Sequence, residues 1–158
     1  MNTDLVEQLF SRYYNDALLY AMSLTKDAHE AEDIAQDAFY KALKTADGDI
    51  QNFKAWLLTV CRNMFLNSRR KRKRLTALDE NIADERDRVL GKIVKDENYR
   101  SLYRAIELLP DNLKEVILLF YFEELKINEI ADMLGKSENN VKVMLYRGRE
   151  QIKQILEK

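Results

Sequence analysis

Cysteine and histidine are almost absent from this chain: Cys61 and His29 are the only ones in 158 residues. One thiol cannot form an internal disulfide, and with a single imidazole it supports neither a Cys/His metal cluster nor a Cys-His nucleophilic pair. Cys61 falls on the apolar stripe of its helix and reads as buried filler, whereas His29, inside the polar "KDAHEAED", reads as solvated. Proline occurs once, and the four glycines, Gly48, Gly91, Gly135 and Gly148, are scattered. That scatter contains neither a P-loop nor a dinucleotide fingerprint. Few turn residues beside 46% hydrophobic content point to an all-α protein, because strands and long loops need more of them. Carboxylates are plentiful, but on amphipathic helices they form a solvated face, so no catalytic residue, metal ligand or cofactor is expected and the chain does not read as an enzyme. No run approaches the roughly 20 apolar residues of a membrane span. The start "MNTDLVEQLF" lacks a basic region followed by an apolar one. A cytoplasmic location without direct membrane insertion is the expectation.

What the chain does have is a basic strip. "RNMFLNSRRKRKR", Arg62 to Arg74, holds seven cations and no acid, in a protein of formal net charge -1. Residues 1–61 carry 5 basic against 10 acidic side chains, residues 75–98 carry 4 against 7, residues 99–135 carry 4 against 7, and residues 136–158 carry 6 against 3. Positive charge is thus confined to two places, each at the C-terminal end of a helical unit. This distribution suggests a bipartite contact with a polyanion rather than a general basic coat.

Periodicity divides the chain into two small helical domains joined by a flexible linker. In residues 1–74, Leu5, Leu9, Tyr13, Ala17, Tyr20, Ala21 and Leu24 recur at helical spacing, and "TKD" at Thr25 offers a cap and a break. A second helix over about 28–44 turns Ile34, Ala35, Ala38, Phe39, Ala42 and Leu43 inward and leaves Asp33, Gln36, Asp37, Tyr40 and Lys41 on its other side. After the turn-rich "TADGDIQN", a third helix carries Phe53, Trp56, Leu57, Val60, Cys61, Met64 and Phe65 and ends in the basic strip. Residues 75–98 lose the periodicity and read as a tether. In residues 99–158, Tyr99, Leu102, Tyr103, Ile106 and Leu109 restore it up to Pro110. "DNLKEVILLFYFEEL" then reads as a helix from Asp111, "INEIADMLG" as a short helix ending at Gly135, and Ser137 as the cap of a last helix over about 138–156.

Short helix, glycine turn, longer helix is the helix-turn-helix order, in which the second helix enters the major groove. At about 100° per residue, Val141, Leu145, Gly148 and Ile152 share one face, while Asn139, Val143, Tyr146 and Arg147 point away, flanked by Asn140 and Lys142. Short amides, an aromatic and cations suit base edges and phosphates. Trp56 has two readings. A lone tryptophan in an apolar stripe is usually a core anchor, yet an aromatic between a polar loop and a basic strip also suits stacking of single-stranded bases.

These motifs, in this order, resemble the extracytoplasmic-function sigma factors, the smallest members of the sigma-70 family of bacterial RNA polymerase subunits. The resemblance rests on "EAEDIAQDAFYKAL", "FKAWLLTVCRNMFLNSRRKR" and "LLPDNLKEVILLFYFEELKINEIADMLGKSENNVKVMLYRGREQI", and it spans both halves but not the middle. It implies a region-2 domain over residues 1–74, a linker over 75–98 and a region-4 domain over 99–158. By position it implies polymerase binding by Asp33, Gln36, Asp37, Tyr40 and Lys41. It implies contact with the minus-ten element by Asp49, Ile50, Gln51, Asn52, Lys54, Trp56, Arg62, Asn63, Arg69 and Arg70, with the cations up to Arg74 near phosphates. Reading of the minus-thirty-five element falls to Ser137, Asn139, Asn140, Lys142, Val143, Tyr146 and Arg147. The partners implied are core RNA polymerase, promoter DNA (an upstream duplex and a non-template single strand) and an anti-sigma factor, often membrane-anchored. In one place the chain departs from the pattern: after the "VK" of the last helix the family often has a small or hydroxyl residue and then an arginine, where this chain has Val143 and Met144. A phosphate or base contact is therefore expected to be missing there, with apolar contact to a thymine methyl in its place.

Energetics favour a polymerase subunit over a lone activator. Opening four or five base steps costs about 6 to 7 kcal/mol at roughly 1.4 kcal/mol per step, which two stacked bases at about 1 to 3 kcal/mol each barely match. The rivals are a helix-turn-helix regulator that acts without polymerase, which should bind duplex DNA tightly by itself, and a protein-binding adaptor, which should show no salt-sensitive DNA binding.

Overall fold

The structure, a computed structural model, describes residues 3–45, 52–71 and 80–157. Among the described residues there is no strand. The helices are α1 (Thr3–Thr25), α2 (Ala28–Thr45), α3 (Phe53–Lys71), α4 (Glu80–Ile93), α5 (Glu97–Glu107), α6 (Asp111–Ile117), a π-helical segment (Leu118–Phe122), α7 (Ile127–Leu134) and α8 (Glu138–Leu156). None is long and apolar enough to cross a membrane among the described residues. Two compact units divide the chain, Met1–Ile93 and Val94–Lys158.

In the first unit α1, α2 and α3 pack on one another. Their apolar stripes supply a core of small and large residues, with Ala17, Tyr20, Ala21, Ala31, Ala35, Ala38, Leu57, Leu58 and Cys61 at zero exposure. Alanines on α1 and α2 let those two helices approach closely, and a cluster of rings packs beside them. Phe39 lies 5.2 Å from Phe10 and 6.0 Å from Phe53, centre to centre. The α1–α2 corner is tightly held. Thr25 Oγ1 donates to the Asp27 carbonyl and accepts from Asp27 N, and Asp27 Oδ1 accepts from His29 N at 3.0 Å and Glu30 N at 3.4 Å, capping α2.

The tether read from the sequence contains structure: α4 occupies Glu80–Ile93, packs on α1 and α2, and belongs to the first unit. Its buried anchor is Leu90. Ile82, Val89, Leu90 and Ile93 stand at helical spacing along it, a stripe that is present but sparse among charged neighbours, so packing on α1 and α2 adds to a modest local signal.

The second unit starts with a cap. Asp96 accepts from Asn98 N at 2.8 Å to open α5, and Arg100 donates to the carbonyls of Val94 and Lys95. Its core joins Tyr103, Ile106, Val116, Ile117, Leu118, Leu119, Ile130 and Val141. The helix expected from Asp111 through Leu125 stops earlier: it widens after Ile117, with Glu123 N donating to the Leu118 carbonyl, and Glu124 takes a positive φ of 58°. The widened segment turns Phe122 against Tyr103, 5.7 Å away edge-on, and carries Glu123 to full burial. Gly135 closes α7 at φ 66°, a left-handed conformation that glycine adopts at little cost. Ser137 Oγ then accepts from Asn140 N at 3.0 Å and starts α8. Where α8 crosses α6, Gly148 permits contact: a Cβ there would sit 2.5 Å from Ile117 Cγ1.

Candidate polymerase and nucleic-acid interfaces

On α2, burial of Ile34, Ala35, Ala38, Phe39 and Ala42 leaves Asp33, Gln36, Asp37, Tyr40 and Lys41 exposed together, as the 3.6-residue period requires. Tyr40 is 59% exposed, and the Lys44 ammonium lies over its ring at 4.7 Å. Gln36 hydrogen-bonds the Tyr14 phenol across from α1; burial pushes that phenol up, the Gln36 bond opposes the shift and the Glu32 charge adds to it. This face is acidic, amphipathic and braced from below.

On α3 the residues expected at single-stranded DNA separate into two groups. Trp56, Asn63 and Arg70, at i, i+7 and i+14, lie along one stripe; Asn63 and Arg70 are exposed and Trp56 is half-buried. Trp56 is therefore neither a full core anchor nor a free ring: one side packs toward Phe53, 5.8 Å away. The other residues turn elsewhere. Asn52, at φ 57°, accepts from Ala55 N at 3.3 Å and acts as the cap of α3. Lys54 reaches back to α1, its Nζ 3.8 Å from Asp16 Oδ1. Arg62 is half-buried on the flank away from Trp56. Arg69 points into the α1–α2 corner, donating to the Thr25 carbonyl at 3.3 Å. Asp49, Ile50 and Gln51, and the cations Arg72, Lys73 and Arg74, lie outside the described residues.

On α8 all of Ser137, Asn139, Asn140, Lys142, Val143, Tyr146 and Arg147 are exposed, Tyr146 by 60%, while Val141, Met144, Leu145 and Gly148 are buried. Ser137 has its hydroxyl committed to the cap. Met144, at 4% exposure, fills the core rather than the exposed face. Val143, at 40% exposure, is the apolar element of the reading face. Arg149, outside the set of residues expected at DNA, donates to Tyr121 Oη at 2.8 Å and stays exposed. Its signal was present in the spacing, since Lys142, Tyr146, Arg149 and Lys153 form an i, i+4, i+7, i+11 row beside the reading face.

Residues 9–75 match the family model for sigma-70 region 2, and residues 99–152 match that for sigma-70 region 4. The chain is 30% identical over 153 residues to the ECF RNA polymerase sigma factor SigM of Bacillus subtilis, covering 95% of this chain and 94% of that protein. It is 34% identical over 144 residues to SigW of the same organism, covering 82% and 77% respectively. Its fold is also that of the sigma factor RpoE of Bartonella quintana, solved in complex with the anti-sigma factor NepR, with a TM-score of 0.69 at 23% identity over 99% of this chain and 98% of that one. With region 2 on the α1–α3 bundle, region 4 on the helix-turn-helix unit, and a full-length relative at this identity, the chain belongs to the extracytoplasmic-function sigma factors, the sigma-70-family subunits that direct RNA polymerase to promoters.

Proposed function

We propose that the two units divide the initiation task by the chemistry of their exposed faces. The α2 face of Asp33, Gln36, Asp37, Tyr40 and Lys41 binds core polymerase, its carboxylates aligning with cations of the partner. The stripe of Trp56, Asn63 and Arg70 holds the non-template strand of the minus-ten element, the indole stacking on a base and Arg70 facing the backbone. The α8 face enters the major groove at the minus-thirty-five element: Arg147, Asn139 and Asn140 are of the types that bond base edges, and Lys142 faces phosphate. Residues 1–74 act as region 2 and residues 99–158 as region 4, with α4 in the segment between. An anti-sigma factor covering the α2 and α8 faces holds the protein inactive in the cytoplasm; the solved relative bound to NepR supports that pairing by analogy.

The observation that carries this reading is the pairing, in one chain, of an exposed acidic-aromatic face on α2 with an exposed amide-aromatic-cation face on α8. A lone DNA-binding regulator needs only the second. Transcription by sigma-free core polymerase on a genomic fragment library tests it. Addition of this protein should produce discrete start sites, each preceded by a shared two-part motif. No initiation, together with specific duplex binding by the chain alone, would replace this reading with an independent regulator.

A further inference from the structure

The basic strip holds two adjacent arginines, Arg69 and Arg70, in opposite circumstances. Arg70 is exposed, and its only described contact is local, Nη2 to Asn67 Oδ1 one turn earlier on α3 at 2.7 Å. Arg69 is held on three sides. Its Nη2 lies 3.3 Å from the Thr25 carbonyl and 3.8 Å from Glu30 Oε2, and its guanidinium covers the Phe65 ring at 4.9 Å. Thr25 is the last residue of α1, so its carbonyl is one that the helix leaves without an intrahelical partner, at the negative end of the helix dipole. Glu30 stands in the first turn of α2, with a side chain only 11% exposed. Arg69 therefore joins all three helices of the bundle near the C-terminal end of α3.

We propose that Arg69 is a positioning residue that locks the last turn of α3 onto the α1–α2 corner and so aims Arg70 at the DNA backbone, without itself contacting phosphate. Three features support this. Release of Arg69 would deprive the Glu30 carboxylate, largely buried, of one charge partner. The socket is rigid, since Thr25 and Asp27 bond each other and Asp27 caps α2. A planar guanidinium can stack and donate at once, and an ammonium cannot, so the site demands arginine for shape as well as charge. The inference rests on the reading of the strip as a phosphate-facing element.

The test is promoter binding by preformed holoenzyme over a salt series, with thermal unfolding of the same full-length chains. Arg70→Ala should reduce the slope of log affinity against log salt by about 0.7 to 0.9, the loss of one phosphate contact, with an unchanged unfolding midpoint. Arg69→Lys, which keeps the charge, should bind promoter several-fold more weakly at an unchanged slope and unfold at a lower temperature. Glu30→Gln, which leaves the strip's charge untouched, should do the same and decides the matter if Arg69→Ala fails to fold. The proposal is overturned if Arg69→Lys binds and unfolds like the parent while Arg69→Ala loses the same slope as Arg70→Ala. An unchanged slope for Arg70→Ala would instead sink the phosphate-facing reading of the strip, and the brace would then stand or fall on the unfolding midpoints of Arg69→Lys and Glu30→Gln.

Discussion

Helices α3 and α8 are both 19 residues long, both carry several cations, and both are proposed to meet promoter DNA, yet they use their charge differently. On α3, Lys54 is engaged with Asp16 and Arg69 with Thr25 and Glu30, so part of its positive charge is consumed inside the unit. On α8, Lys142 and Arg147 project from the helix with Asn139, Asn140 and Tyr146 beside them, and packing is left to Val141, Met144, Leu145 and Gly148. The contrast fits the two tasks. A helix that must hold an unpaired strand needs a rigid stacking surface first, and cations braced within the bundle supply that rigidity. A helix that reads an intact groove needs free side chains on a well-anchored back. Cations counted along a sequence are therefore an upper bound on those available to a polyanion.

Several variants would break or sharpen this contrast. The largest effect is expected from Asp33→Arg combined with Asp37→Arg, which puts cations where the polymerase presents them. Like-charge contact costs several kcal/mol, so core polymerase affinity measured by titration should fall by about 100-fold or more, removing both helices from their common context. Next comes Gly148→Ala on the back of α8. A methyl in the space occupied by Ile117 should lower the stability of the second unit by about 1 to 3 kcal/mol, read by denaturant unfolding. On the front of the same helix, Arg147→Ala should cost about 1 to 3 kcal/mol of discrimination at one base pair, visible as relaxed promoter selectivity in footprinting, with core binding intact. Ser137→Ala should remove about 1 kcal/mol through loss of the cap. The smallest effect belongs to Lys54→Ala on α3: a partly exposed ion pair contributes about 0 to 1 kcal/mol, and because Lys54 faces α1 the salt slope of promoter binding should not change.

Much of the second unit was legible because its punctuation is local. Pro110 stops one helix, Gly135 supplies the left-handed turn, Ser137 caps the next, and the inward face of α8 follows from the 3.6-residue period. The exposed face of α2 was legible for the same reason. What could not be read there depends on distant partners. Helix α4 is hard to read because its apolar stripe, Ile82, Val89, Leu90 and Ile93, is thinly spread among charged residues and follows a stretch without periodicity, while the helix packs on α1 and α2 around Leu90. The widening after Ile117 has no local signature in "LLFYF". Arg69 looked like any other cation of the strip, since its carbonyl partner, Thr25, lies 44 residues earlier. Met144 was placed by comparison with a family pattern, and its burial shows that the position belongs to the packed side of α8.

Footprinting of a promoter from the fragment library, with this chain alone, core polymerase alone and both together, tests the division of labour most directly. The account predicts that only the combination protects both promoter elements and renders minus-ten thymines reactive to permanganate, because α3 and α8 act on DNA only when α2 is seated on polymerase. Protection of the same elements by the chain alone, at comparable concentration, would contradict it.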